Sequence, residues 1–584
     1  MKTTNFLSSN FNMTRRHFLT ISLISTATVA CNDEQHVSTR PDAKTDADIE
    51  DFTDTVNDAD VLSDVDSEVP LPRPTTTVRE TIRGRLEEVP QFEDLRSLFG
   101  LTRKGPGERW IVRDEWGASQ AASGTKNPTS LAYFAQLTDV HILDEESPAR
   151  AIHSLIAAAS AWRPYDAYST HMLDAAIRTL NSFAAVYPHD FVVFTGDVTD
   201  NHLFIEMRWF LDVVEGNEIN PDTGADDNPL PTGTVDPHDP FMAAGLDTRV
   251  PWYICVGNHD AWTLGSLGSS AILASPTSSS ATFSLSHSMD PTCFSEVPCP
   301  NGYCYSDVPE RCHMPMDDNY YTHSNLAPDA QRRYIDLQEF KTLVISSTRQ
   351  GPPGHGFTQQ NLQTGLNYYS VDEPVPGMPI SLIVLDTTTA CTSTNKATGA
   401  IDAAQMAWLS ERLNHYAALH RAIVVVSHHP ADTIANQESQ LVALLRACPY
   451  VVLHVVGHGH INRVYPHPPA TGESPENGYW EVQTPSTLEW PQQMRFFEIV
   501  DEGDGTGSVY VTVVNFEVEP SSPAEAGRFY SLVDIQEGRV PDGSEGAPED
   551  RNVILRFVWP SEMRSVLDAL PRRPVESLHF LPSR

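Results

Sequence analysis

Five short clusters of Asp, His and Asn, each directly behind a run of apolar, β-prone residues, constrain this chain more than any other feature. In order they are Asp139-Val140-His141 after LAYFAQLT, Gly196-Asp197-Val198-Thr199-Asp200 after FVVFT, Gly257-Asn258-His259-Asp260 after PWYICV, Ser427-His428-His429-Pro430 after AIVVV, and Gly457-His458-Gly459-His460 after VVLHVV. Short apolar runs bounded by glycine or proline read as buried strands. Between them lie helical stretches: THMLDAAIRTLNSFAAVY, with Met172, Ala176, Leu180 and Phe183 at helical spacing, then FIEMRWFLDVVEG, AAQMAWLSERLNHYAAL and ESQLVALLRAC. Open α/β sheets gather their functional groups beyond the carboxyl ends of the strands. Five strand ends here would deliver carboxylates, imidazoles and an amide, with almost no thiol. Such a donor set suits Zn, Fe, Mn or Ni.

The ordered pattern D-x-H, GD-x-x-D, GNHD, a lone His and GH-x-H resembles that of the calcineurin-like metallophosphoesterases, over roughly residues 131–500. The resemblance implies an α/β fold of two mixed β-sheets packed as a sandwich and flanked by helices. It also implies two divalent or trivalent metal ions (Fe, Mn or Zn) and a small phosphate-ester substrate. Carried over residue by residue, Asp139, His141, Asp197 and His460 would hold one metal, and Asp197, Asn258, His428 and His458 the other. Asp197 would bridge them, because a carboxylate can give one oxygen to each cation. The family's usual His-x-Pro puts His428, ahead of Pro430, in the ligand position and His429 outside it. A metal-bridging hydroxide would attack phosphorus, His259 would protonate the leaving oxygen, and Asp200 would orient His259. Purple acid phosphatases carry a tyrosine where this chain has Asp200, so no charge-transfer colour is expected.

Each residue also has a bland role open to it. Asp139 could cap a helix and Asn258 could serve a turn. Those roles would have to hold together at all five strand ends, in this order. His454, inside its apolar run, and His355, in GPPGHGFT, are left outside the set. The non-catalytic alternative is a surface lipoprotein that binds metal or another ligand. A missing ligand would be its sign, and none is missing.

Residues 1–31 contain Thr14-Arg15-Arg16-His17-Phe18-Leu19 followed by ISLISTATVA, a pattern similar to a Tat export signal. The apolar run is too short and too rich in Ser and Thr for a membrane span. The chain should therefore be exported, to the periplasm or the cell surface. Cys31, after Thr28-Val29-Ala30, offers a lipid-attachment point; secretion without a lipid is the alternative. Residues 32–70 are acidic and poor in large apolar side chains, so they should remain disordered, as a tether or as a solubilising tail. The net charge of −38 argues against a polyanion-binding surface, and no nucleic-acid partner is expected.

Residues 71–130 read as an N-terminal arm and 131–500 as the catalytic domain, with 501–584 as a C-terminal β extension and tail. The stretches GHGFT, WEVQTPSTLEWPQQ and DRNVILRF resemble the Tat-exported group within the family. Inside the catalytic domain, 261–366 should form an irregular insertion capping the site. Four of the eight cysteines (Cys293, Cys299, Cys304 and Cys312) crowd into it. In an exported protein they favour two disulfides over a zinc knuckle.

Overall fold

The computed structural model describes residues 75–84, 102–122, 127–147, 163, 165–224, 236–266, 328–347, 351–388, 397–435, 437–536 and 543–580. Its strands in chain order are β1 Glu80–Gly84, β2 Thr102–Pro106, β3 Ile111–Arg113, β4 Thr129–Leu137, β5 Phe191–Phe194, β6 Glu218–Ile219, β7 Phe241–Met242, β8 Trp252–Ile254 and β9 Tyr369–Val371. They continue with β10 Ile380–Val384, β11 Ala422–Val426, β12 Val451–Val456, β13 Arg463–His467, β14 Tyr479–Gln483, β15 Gln493–Asp501, β16 Thr506–Asn515 and β17 Val553–Val558.

Two large mixed sheets result, ordered β3-β17-β16-β15-β4-β5-β8 and β13-β14-β12-β11-β10-β9. In the first, β4, β5 and β8 run parallel; in the second, β10, β11, β12 and β14 do. Parallel strands joined by crossovers all point their carboxyl ends the same way. That is why Asp139, Asp197, Asn258, His428 and His458 can emerge at one rim.

Strand β4 is buried along its whole length, as expected where both sheet faces are covered. On one face Phe134 stacks between Phe191 and Phe497 at 4.6 and 5.1 Å. On the other, Tyr133 meets Phe496, which takes the edge of Phe183 from the helix Ser169–Ala184 at 4.9 Å. The second sheet lies against the first through polar contacts. The Gln136 amide donates to the Val456 carbonyl at 2.9 Å, and the Trp480 indole donates to the Arg556 carbonyl at 3.0 Å. The helix Ala403–Ala418 covers β10 and β11 on the far side. The expected sandwich of two mixed sheets flanked by helices is what the chain adopts.

The amphipathic spacing places the helices closely. Met172, Ala176, Leu180 and Phe183 are all buried on Ser169–Ala184. FIEMRWFLDVVE forms Phe204–Glu215, ended by Gly216 in the left-handed region at φ 76°. One feature departs from the sequence expectations. Within 261–366 the described residues include a regular helix, Leu337–Ile345, capped by the Asp336 carboxylate. Its neighbour Tyr334 bridges Leu203 and stacks on His202. The four clustered cysteines, Cys31 and Cys391 lie outside the described residues; Cys255 and Cys448 are buried free thiols.

Candidate metal centre

Three of the five strand ends leave their strands by an unusual backbone route. Asp139, His141, Asp197, His458 and His460 all have positive φ, between 49° and 70°. Such a conformation costs a non-glycine residue on the order of 1–3 kcal/mol and persists only where the surroundings enforce it. Here the enforcement is visible. The Asp139 amide donates to the Gly196 carbonyl at 3.1 Å, the His141 amide to the Asp197 carbonyl at 2.9 Å, and the His458 amide to Asp139 Oδ2 at 2.9 Å. Gly196 and Gly257 pack so closely that a Cβ on Gly257 would overlap the Asp197 carboxylate.

All nine residues singled out from the sequence converge. His141 Nε2 lies 3.2 Å from His460 Nε2, and His460 Nε2 lies 3.1 Å from Asp139 Oδ1. A short distance away, His428 Nε2 lies 3.1 Å from Asp197 Oδ2 and 2.9 Å from Asn258 Oδ1. Donor atoms of Asp139, Asp197 and His428 lie within 4.8 Å of one another, as do those of His141, Asp197 and His259. Asp197 is therefore common to both halves of the centre. Two imidazole Nε2 atoms facing each other at 3.2 Å can share at most one proton. A cation between them satisfies both lone pairs, so the residues fit metal ions.

The charge field says the same. Asp139 is held down at about 2: burial opposes ionisation, and His460 more than offsets it. Burial and the Arg163 charge push His141 down to about 4, and burial and His428 push His458 down to about 3. His428 and His460 are raised, to about 9 and about 10; burial works against their charge, but Asp197 and Glu489 respectively override it. Protons on these two rings stand where metal charge would stand.

His259 lies in contact with this centre. Its amide donates to Asp197 Oδ1 at 2.8 Å and its Nδ1 to the Asp200 carbonyl at 2.8 Å, leaving Nε2 for chemistry. Burial would lower its pKa, but Asp197 and Asp200 raise it. Asp200 thus reaches His259 chiefly through its backbone. Its carboxylate, 3.4 Å from His259 Nδ1, is closer to His141 Nδ1 at 2.9 Å.

Several participants escaped the sequence reading. Asp260 accepts from the amides of Asp197, Val198, Thr199 and Gly257 at 2.9–3.0 Å, locking two motif loops together. Burial and the Asp197 charge raise it to about 6. Glu489 accepts from His460 Nδ1 at 2.7 Å, and Arg163 bonds Glu489. Gly265, at φ 65°, takes the Asn258 amide on its carbonyl and lies so close to the His259 ring that a Cβ would overlap it. Only Asp260 had a local signal, the fourth position of GNHD. His355 instead stacks on Trp252 at 3.5 Å, with its Nδ1 on the Trp252 carbonyl.

His429 lies beside His458, and its ligand atom groups with those of His428 and His458 within 4.8 Å. Its Nδ1 meets the Thr387 hydroxyl at 2.7 Å and its ring faces His458, whereas His428 is the ring against Asp197 and Asn258. His429→Ala should keep the full metal complement while His428→Ala loses one equivalent, measured by elemental analysis. The opposite pattern would move the ligand to His429.

Residues 132–462 match the calcineurin-like phosphoesterase family. No curated protein matches the chain. Among solved structures, a dimetal phosphatase from Danio rerio is similar at 12% identity and a TM-score of 0.35, over 66% of this chain and 100% of that one.

Proposed function

We propose, from the premise that this chain belongs to the calcineurin-like phosphoesterase family, that it is an exported hydrolase of phosphate mono- or diesters working with two metal ions. The observation that carries this is Asp197, one carboxylate common to two groups of metal-binding side chains. Asp139, His141, Asp197 and His460 would hold one cation, and Asp197, Asn258, His428 and His458 the other. Bound there, two cations supply Lewis acidity toward phosphoryl oxygens and make water nucleophilic at neutral pH.

The chain's own residues supply the rest. His259, with Nδ1 committed to the Asp200 carbonyl, presents Nε2 as the donor of a proton to the leaving oxygen. Asp200 fixes His141 by its carboxylate and His259 by its carbonyl. The left-handed backbone at five ligand positions holds the donors in place before substrate arrives, which limits reorganisation during the reaction.

Exhaustive chelation should abolish hydrolysis of nitrophenyl phosphate and bis-nitrophenyl phosphate alike, and Mn, Fe, Zn or Co should restore it to different degrees. Because ligand imidazoles must be deprotonated to bind metal, metal should also be lost as pH falls. Hydrolysis persisting in verified metal-free protein would refute the metal-dependent reading, and the ratio of the two substrates decides between mono- and diester.

Export through residues 1–31, with 32–70 as a spacer, places the enzyme in the periplasm or at the cell surface, within the Tat-exported group of the family. Replacing Arg15 and Arg16 with Lys should trap the protein in the cytoplasm on cell fractionation. A palmitate analogue should label it at Cys31 if it is anchored. Normal export of the double-lysine variant would remove the Tat assignment.

A further inference from the structure

Arg163 lies in the segment leading to the helix Ser169–Ala184 and is fully buried. Its Nε donates to Glu489 Oε1 at 2.6 Å, and its Nη1 to Asp200 Oδ1 at 3.2 Å. Those two carboxylates are not equivalent to the others around the site. Glu489 uses its second oxygen, Oε2, on His460 Nδ1 at 2.7 Å, and Asp200 Oδ1 lies 2.9 Å from His141 Nδ1. One guanidinium therefore ties together the outer partners of the two histidines whose Nε2 atoms face each other at 3.2 Å.

Each link has a defined consequence. A carboxylate on Nδ1 keeps the proton there and turns the Nε2 lone pair inward, fixing tautomer and ring orientation. A guanidinium is planar and carries several donors in a fixed fork, so it can set the separation of two carboxylates in a way an ammonium cannot. The partners are anchored independently. Ser486 accepts from the amides of Leu488 and Glu489 at 3.0 Å and donates to the Asp139 carbonyl at 2.7 Å, pinning the Glu489 turn to a ligand loop. Asp166 accepts from the Arg163 amide at 3.0 Å.

We infer that Arg163 is a positioning residue for one half of the metal centre: through Glu489 and Asp200 it holds His460 and His141 in register, and it leaves the His428–His458 half untouched. This rests on the proposal that His141 and His460 bind a cation. The assigned contacts of Arg163 are with Glu489 and Asp200, not with the proposed ligands themselves.

The test is titration of the metal-free full chain with Mn(II), followed calorimetrically and by electron paramagnetic resonance, for wild type, Arg163→Met, Arg163→Lys and His460→Ala. Removing an outer partner typically costs ~10–100-fold in metal affinity. Arg163→Met should weaken one of two binding steps by that factor and leave the other equal to the step that survives in His460→Ala. Arg163→Lys keeps the charge without the fork and should fall between. If the methionine variant does not fold, Arg163→Lys and Glu489→Gln carry the test, each expected to weaken the same single step. Unchanged affinities at both steps would overturn the inference. Equal weakening of both would also overturn it, since that is general loosening. If wild type bound no Mn(II), or His460→Ala kept both steps, the metal assignment would fail, a result distinct from failure of the Arg163 role.

Discussion

Asp197→Ala should strip both cations from the protein and take hydrolysis to background. Asp197 Oδ2 lies 3.1 Å from His428 Nε2, and its carboxylate also groups with His141 and His259 on the other side. Asp139 is the other carboxylate that groups on both sides, with His141 and His460 and with Asp197 and His428. The pKa of Asp197 is held well below the carboxylate range: burial opposes ionisation, and His428 and His259 overcome it. The anion is thus in place before metal arrives. Loss of an outer partner costs ~10–100-fold in metal affinity, so loss of a ligand shared by two cations should exceed about 100-fold at both sites. Asp197→Ala also removes the acceptor of the His259 amide, so protein forced to bind metal at high concentration should still react slowly. Elemental analysis after dialysis decides the matter. One tightly held equivalent would show that Asp197 serves a single cation.

What the sequence could and could not reveal follows from where the information lies. The residues proposed as ligands were legible because each sits within a few residues of a buried strand, and strand and motif are both local patterns. The proline after the pair favours His428 as the ligand, and His428 lies against Asp197 and Asn258 while His429 groups with His428 and His458. The supports were not legible. Arg163 and Glu489 are 326 positions apart and neither sits in a repeated pattern, so nothing local announces that they meet. The same holds for sheet order. β15 lies beside β4, and β16 and β17 extend that sheet as far as β3, so segments at both ends of the chain share one sheet. Alternation identifies a strand but not its partner, and pairing was settled by packing such as Phe134 on Phe497. The role of Asp200 shows the limit of a motif. The residue was found, yet which of its atoms meets His259 depends on a backbone that only the fold defines.

His259→Asn gives the sharpest test of the chemistry, because its effect should depend on the leaving group. A general acid matters most when the departing oxygen is a strong base, and such catalysis is typically worth ~10²–10⁴ in rate. The variant should therefore lose about that much on an alkyl phosphate ester and far less on a nitrophenyl ester, whose leaving group departs without a proton. The position suits the role. Nδ1 is fixed on the Asp200 carbonyl, and Asp197 and Asp200 favour the protonated ring against the pull of burial. Gly265 closes against the same ring, limiting how far it can turn. Metal content should be unchanged, since His259 is not among the assigned ligands; measuring it separates a lost proton donor from a damaged centre. Equal losses on both esters with both metals retained would mean that His259 positions the phosphate, and the proton would then have to reach the leaving oxygen from another group.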